Sequence, residues 1–323
     1  MNTRRCYERT PPMSTELTRR PRSKPCAPAG RFSRTMWPAP IPEGRLPVKP
    51  SAPILVNDLF RPLREGLLAL LSGLSAEEWE KPTVCAGWSV KDVALHLLGG
   101  DIGILSRRRD GFTPGGKAIA NWEELVALIN SLNDVWVKAT RRMSPRLLCD
   151  LLEFTGPQVE EYFASLDPFA TGAPVDWAGP EPAPVWLDLA REYTERWHHQ
   201  QQIRDAVSKP GLKESRFFAP VLDTFVRALP HTFRGVAAAE QTLVKLSIAG
   251  DAGGDWCLLR ERGAWNLYAE CEARATAQVT MDQDDAWRLF TKGMSAEQVR
   301  GRVKIQGDVT LAEKMLDMVS VIA

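Results

Sequence analysis

Two of the four histidines of this chain stand side by side in the stretch TERWHHQQQIRD, residues 194–205, with a glutamate one helical turn before them. In an α-helix successive residues turn by about 100°, so Glu195 lies about 40° from His199 and about 60° from His198. Either histidine can therefore share a metal ion with Glu195, and this geometry does not choose between them. The same pattern is also typical of the polar face of a solvated helix.

A third histidine, His96, lies among apolar residues in the segment VALHLLGG. A buried imidazole must find a partner or stay neutral at some cost, so His96 is either a paired core histidine or a ligand. Gly99, Gly100 and Gly103 share its helix face, and each costs about 1 kcal/mol relative to alanine in a helix interior. The three glycines indicate room for a ligand or for a closely packed helix.

Two histidines and one carboxylate form a recognised open zinc set, in which three protein ligands leave the fourth position to water or substrate. Such a site activates water or holds a thiolate, because the metal favours the anionic form of either. The residue types are therefore compatible with a zinc site. The alternative without a metal places Glu195 and His199 on a solvated face and His96 in the core.

The elements that would position these residues are helices. From residue 52 to 238 apolar residues recur at helical spacing, which predicts a helical bundle. A possible capping box of Ser89 and Asp92 opens the helix that carries His96, and the helix of His199 is expected to start near Pro184. Residues 239–323 begin with strand-period segments between glycine-bearing turns and end with two helical stretches around a short possible strand, which predicts a small α+β domain with a mostly antiparallel sheet.

The first 51 residues differ from the rest in composition. Residues 1–50 contain ten prolines and 11 of the 41 basic residues, but only 3 of the 40 acidic ones. Such a segment buries too little apolar surface to order itself, so residues 1–51 are predicted to be disordered. The remainder carries an acidic excess and no apolar run of membrane-spanning length, which argues against nucleic-acid and membrane partners. The six scattered cysteines are expected to be isolated, reduced thiols of a cytoplasmic protein.

Two segments, CAGWSVKDVALHLLGGD and TERWHHQQQIRDAV, together resemble the mycothiol-dependent maleylpyruvate isomerase family, whose amino-terminal part is a metal-binding helical bundle of the DinB type. The carboxy-terminal segment VKIQGDVTLAEKML is similar to the small sterol-carrier-like domain often attached to that bundle. The resemblance implies His96, Glu195 and His199 as the metal ligands, zinc as the ion and mycothiol as the thiol cosubstrate. It leaves His198 as a neighbour of the site.

The chemistry implied by this resemblance is cis–trans isomerisation or S-transfer on a small organic substrate. In the family, a thiolate adds to a cis double bond, the resulting single bond rotates and elimination gives the trans product. Relatives commonly use an arginine of the carboxy-terminal domain, in a Gly-Arg pair. This chain departs from the pattern, because Lys292 stands where the pair is expected while Arg300 and Arg302 lie farther along. The alternative function is a non-catalytic metal- or ligand-binding protein, and the sequence predicts no oligomeric state.

Overall fold

Helices form most of the first part of the described chain and strands most of the last part. The computed structural model describes residues 48–113, 115 and 121–321, which belong to one compact unit. The α-helices are Phe60–Ser72 (α1), Ala76–Trp79 (α2), Val90–Gly103 (α3), Trp122–Thr140 (α4), Pro145–Ala164 (α5), Val185–Val207 (α6), Ser215–Val226 (α7), Leu229–Phe233 (α8), Gln283–Phe290 (α9), Ala296–Arg300 (α10) and Val309–Met315 (α11).

The strands are Val48–Pro50 (β1), Thr171–Pro174 (β2), Pro182–Pro184 (β3), Leu243–Ala249 (β4), Gly254–Glu261 (β5), Ala264–Cys271 (β6), Ala277–Asp282 (β7) and Lys304–Gly307 (β8). Strands β2 and β3 form a separate hairpin within the helical region. The other six form one sheet in the order β1-β6-β5-β4-β7-β8, in which only β4 and β7 run parallel within the described chain. The fold class predicted from the sequence, a helical region followed by an α+β region with a mostly antiparallel sheet, is confirmed.

The start of the sheet corrects one prediction. Val48–Pro50 was included in the segment predicted to be disordered, but it forms an edge strand that pairs antiparallel with β6. Backbone pairing at a sheet edge needs no apolar periodicity, and proline is tolerated on edge strands. Residues 1–47 lie outside the described residues, where the prediction of disorder stays a prediction. The domain boundary at 238/239 also stays a prediction. Strand β1 precedes the helical region in the chain, but it pairs with β6, which lies beyond that boundary.

The cysteines give a second correction. Cys257 on β5 and Cys271 on β6 form a disulfide, although all six cysteines were expected to be isolated thiols. The two cysteines are 14 residues apart in sequence. Adjacent antiparallel strands bring them together, and their spacing alone does not reveal such a pairing. Cys85 and Cys149 are free, and Cys6 and Cys26 lie outside the described residues.

The core joins the helical region to the α+β region. Tyr193 and Trp197 of α6 are fully buried, and the ring of Trp197 stacks on Phe218 of α7. The same indole contacts Trp287 of α9 edge to face, with ring centroids 5.6 Å apart. Helix α6 is thus held on its apolar side by residues from both regions. Among the described residues, no helix is long and apolar enough to span a membrane.

Candidate metal centre

Helix α3 places His96, and its beginning is fixed by local hydrogen bonds. The Ser89 hydroxyl accepts from the backbone N–H of Asp92, and the Asp92 carboxylate accepts from the backbone N–H of Ser89, which is the predicted capping box. Asp92 also accepts from the Arg141 guanidinium at 2.8 Å. These contacts set the helical register two turns before His96, so the orientation of His96 follows from the start of its helix.

One of the three glycines on this face is explained by packing rather than by a ligand. A Cβ added at Gly99 would lie 2.6 Å from Nε1 of Trp136 in α4. That indole nitrogen donates to the backbone oxygen of Leu95 at 2.7 Å. The sequence left open a ligand or a closely packed helix, and at Gly99 the structure shows the packed helix.

The structure brings His96, Glu195 and His199 together. Nε2 of His96 and Nε2 of His199 each lie 3.1 Å from the same carboxylate oxygen, Oε1 of Glu195. One ligand atom from each residue lies within 4.8 Å of the others, and the two imidazole rings meet edge to face at 4.6 Å. The sequence allows Glu195 to pair with either neighbouring histidine. In the structure the Glu195 carboxylate lies 3.1 Å from Nε2 of His199 and 4.0 Å from Nδ1 of His198.

The donor set fits a tetrahedral zinc ion. Zinc binds imidazole nitrogen and carboxylate oxygen at about 2.0–2.2 Å, so two ligand atoms on a tetrahedron lie roughly 3.3–3.6 Å apart. The observed 3.1 Å separations of the two histidine nitrogens from Oε1 are slightly shorter, so a small outward shift of the side chains would make room for the ion. The two histidines are largely buried, whereas 37% of the Glu195 side chain is exposed. These three residues therefore offer the donor types of a zinc site, and Glu195 is the member that reaches solvent.

His198 has a different environment from its neighbour. Its Nδ1 lies 3.1 Å from the backbone oxygen of Thr194 in the same helix, and 4.0 Å from Oε2 of Glu195. Burial, reinforced by the charge of His199, lowers the pKa of His198 to about 3. This histidine is therefore neutral and bound to its own helix.

The protonation of the three candidate ligands follows from their proximity. Burial disfavours the charged form of His199, but the Glu195 carboxylate outweighs burial and raises the pKa of His199 to about 10. Burial also opposes ionisation of Glu195, yet His199 and the hydrogen bonds of both histidines hold its pKa well below the ordinary value. Burial lowers the pKa of His96. Without a metal the site thus carries one carboxylate and one imidazolium.

Metal binding is expected to release about one proton per ion at pH 7, because the proton on Nε2 of His199 must leave before this nitrogen can bind an ion. Apparent affinity should therefore rise about tenfold per pH unit between pH 6.5 and 8. Calorimetric titration with zinc in two buffers of different ionisation enthalpy measures the proton count. Binding without proton release at pH 7 would show that His199 is already neutral in the metal-free protein.

A network of buried charges adjoins the metal centre on α6. The Arg196 guanidinium donates to Asp101 of α3 at 2.9 Å and to Glu192 at 2.8 Å. Asp101, which is 6% exposed, also accepts from the Thr155 hydroxyl of α5. Arg191 pairs with Glu192 in turn. Arg196 is the sequence neighbour of Glu195, so this network holds α6 against α3 where the candidate ligands meet.

The three cations noted in the carboxy-terminal part of the sequence are engaged elsewhere or lie on the surface. Arg300 pairs with Glu313 at 3.1 Å, and Arg302 pairs with Asp285 at 2.9 Å. Lys292 follows α9 with a left-handed backbone (φ 60°) and lines a surface crevice.

Sequence reasoning missed Arg288, a cation of the α+β region that reaches the helix carrying Glu195 and His199. Arg288 of α9 donates to Asp205 of α6 at 2.8 Å. It lines a cavity of about 250 Å³ together with Gln202 of α6 and Thr291. No motif marked this arginine, because its role depends on how the two regions pack.

Comparison with known protein families gives a match in the helical region of the chain. The family model of the mycothiol maleylpyruvate isomerase N-terminal domain matches residues 60–204. The chain contains a mycothiol maleylpyruvate isomerase N-terminal domain. This domain runs from the first residue of α1 into the last turn of α6, and it includes His96, Glu195 and His199. The resemblance stated from the sequence is confirmed by this match.

Similar solved structures include two of the mycothiol-dependent maleylpyruvate isomerase, one of them a mutant. Both are 12% identical to this chain and cover 78% of it and 92% of their own length, with TM-scores of 0.46 and 0.45. The sterol carrier protein domain 2 of Helicoverpa armigera is 18% identical and covers 32% of this chain and 80% of its own, with a TM-score of 0.21. No curated protein matches the sequence significantly.

Proposed function

We propose that this protein is a zinc-dependent enzyme that uses a small thiol, acting as a cis–trans isomerase or an S-transferase on a small organic substrate. The observation that carries the proposal is the placement of two imidazole nitrogens at 3.1 Å from one carboxylate oxygen of Glu195, whose side chain is 37% exposed. Three protein ligands with one open position are typical of catalytic zinc rather than structural zinc, which has four. The isomerase N-terminal domain supports the choice of reaction class.

In this proposal His96, Glu195 and His199 hold the ion. A bound zinc ion supplies a Lewis acid that favours the thiolate form of the cosubstrate at neutral pH. Mycothiol is the thiol that the family match favours. The exposed side of Glu195 leaves room for the thiol to approach, while the buried imidazoles keep the ligand atoms in place.

The second substrate would be a small unsaturated acid. The cavity beside α6, about 250 Å³, is smaller than the range of roughly 300–1,000 Å³ that is usual for larger ligands. Arg288 lines this cavity beside Asp205, its ion-pair partner, and a guanidinium released from that pair would suit a carboxylate and the negative charge that develops on oxygen after thiolate addition. The resulting carbanion equivalent collapses by expelling the thiolate, so the thiol is regenerated in the isomerase reaction.

The cytoplasmic location predicted from the sequence is part of this proposal, because a thiol cosubstrate must be kept reduced. The Cys257–Cys271 disulfide would then be an exception to the usual state of cytoplasmic thiols. The expected partners are the thiol and the organic substrate, without nucleic acid or membrane.

The proposal is tested by zinc content followed by thiol-dependent turnover. Protein purified without chelator or a histidine tag should contain about one zinc per chain, because one three-ligand group was found among the described residues. It should convert a cis-configured unsaturated acid, or transfer a thiol to an electrophile, only when a small thiol is added. Zinc without thiol-dependent turnover would favour the non-catalytic binding protein, and the absence of zinc uptake would contradict both functions.

A further inference from the structure

Gln202 lies beside His199 on α6 and is 7% exposed. Its side-chain oxygen Oε1 lies 2.7 Å from Nδ1 of His199 and 3.2 Å from Sγ of Cys85. An amide oxygen only accepts hydrogen bonds, so the histidine N–H and the cysteine S–H both donate to it. One oxygen thus receives two donors from two different segments of the chain.

This contact decides which nitrogen of His199 is available to a metal ion. Because Nδ1 must carry a proton to donate to Gln202, the lone pair available for coordination is that of Nε2. Nε2 is the atom that faces Glu195 Oε1 at 3.1 Å. Metal-binding histidines generally donate their other ring N–H to an acceptor, which fixes tautomer and ring orientation.

The Cys85 thiol selects the orientation of the amide. If the amide were turned by half a rotation, its NH2 group would face both Nδ1 and the thiol, and the S–H donor would lose its acceptor. The position of Cys85 is itself fixed, since its backbone N–H donates to the Thr83 hydroxyl at 3.2 Å and that hydroxyl donates to the Trp88 backbone oxygen at 2.9 Å. The loop before α3 therefore holds Cys85 against Gln202.

We propose that Gln202 is a positioning residue that keeps His199 in the Nδ1–H form with Nε2 aimed at the metal position, and that the Cys85 thiol holds the Gln202 amide in the required orientation. This inference rests on the proposed zinc site. It assigns the site an outer layer of two residues, one on α6 itself and one on the loop that leads into α3.

The test compares Gln202→Met, which removes the acceptor at similar size, with Gln202→Glu, which keeps it. Zinc affinity is measured by competition with a chelator, and the ligand geometry by the visible spectrum of the cobalt-substituted protein. Gln202→Met is expected to weaken zinc binding about 10–100-fold and to shift the cobalt bands. Gln202→Glu should restore most of the affinity, and Cys85→Ala should give a smaller loss in the same direction.

Gln201→Met is the matched control on the same helix. Gln201 is fully buried and donates to the backbone oxygen of Gly211 at 3.0 Å, away from the candidate ligands. Its replacement should lower thermal stability without changing the cobalt spectrum, which separates positioning from a general loss of packing.

The outcomes separate this inference from the proposed function. A wild-type protein that binds no zinc contradicts the proposed function. A wild-type protein that binds zinc, with Gln202→Met unchanged in affinity and spectrum, overturns the positioning role alone. If Gln202→Met fails to fold, Gln202→Asn replaces it, because the shorter side chain withdraws the oxygen from Nδ1; unchanged zinc binding in that variant would overturn the proposal equally.

Discussion

Replacing His199 by alanine is expected to weaken zinc binding by more than about 100-fold, since even the loss of an outer hydrogen bond to a zinc ligand costs about 10–100-fold. Thiol-dependent turnover should fall to the background rate. His96→Ala should behave in the same way, because the two imidazole nitrogens stand at equal distance from Glu195 Oε1. Zinc competition titrations and turnover assays measure the two effects separately.

His198→Ala is the control for this experiment, because His198 is buried next to the site but bonds to its own helix. This variant should keep its zinc, and circular dichroism should confirm that all three variants fold. Loss of zinc from His198→Ala with retention in His199→Ala would place the ion between Glu195 and His198, which the sequence alone allows. Full zinc occupancy in both His96→Ala and His199→Ala would contradict the assignment.

The second large effect concerns stability. Arg196→Met is expected to lower the free energy of unfolding by about 3–5 kcal/mol, because it leaves a buried carboxylate without its cation. Asp101 is 6% exposed. Of its two side-chain partners, Arg196 and Thr155, the variant would leave only the Thr155 hydroxyl, whereas Glu192 would retain its ion pair with Arg191. Urea denaturation monitored by tryptophan fluorescence measures the change.

Lys138→Met provides the comparison, since Lys138 and Asp134 form an exposed pair on α4 at 2.8 Å. Its loss should cost no more than about 0.5 kcal/mol of unfolding free energy.

The cost of Arg196→Met should also depend on pH. Burial already raises the pKa of Asp101, and removing Arg196 raises it further. A raised folded-state pKa gives stability that is lost as pH rises, so the deficit of Arg196→Met should be larger at pH 8 than at pH 5. A cost as small as that of Lys138→Met, at both pH values, would show that the network contributes little.

The sequence was most informative where a local pattern determines local structure. The apolar spacing and the Ser89 cap predicted the helix of His96, and Pro184 marked the start of α6, since capping and helix periodicity depend on near neighbours. Apolar residues at helical spacing run from about Arg216 to Arg234, yet the structure divides this stretch into α7 and α8, with Pro230 near the start of α8.

The sequence was least informative where residues far apart in the chain meet. The edge strand β1 pairs with β6 more than 200 residues later, and the parallel pairing of β4 with β7 depends on the whole sheet. For the same reason, the sequence places Gln202 only on the polar face of a helix and Cys85 only among the isolated thiols. Their contact with each other and with His199 exists only after the loop before α3 has folded against α6.

We propose that His96, Glu195 and His199 share one zinc ion. Diffraction from crystals of the zinc-loaded protein, recorded on both sides of the zinc absorption edge, locates this ion. We expect one anomalous peak at about 2.0–2.2 Å from Nε2 of His96, Nε2 of His199 and a carboxylate oxygen of Glu195, with a non-protein atom in the fourth position. A zinc peak that lies elsewhere, or no peak between α3 and α6 in protein that contains zinc, would contradict it.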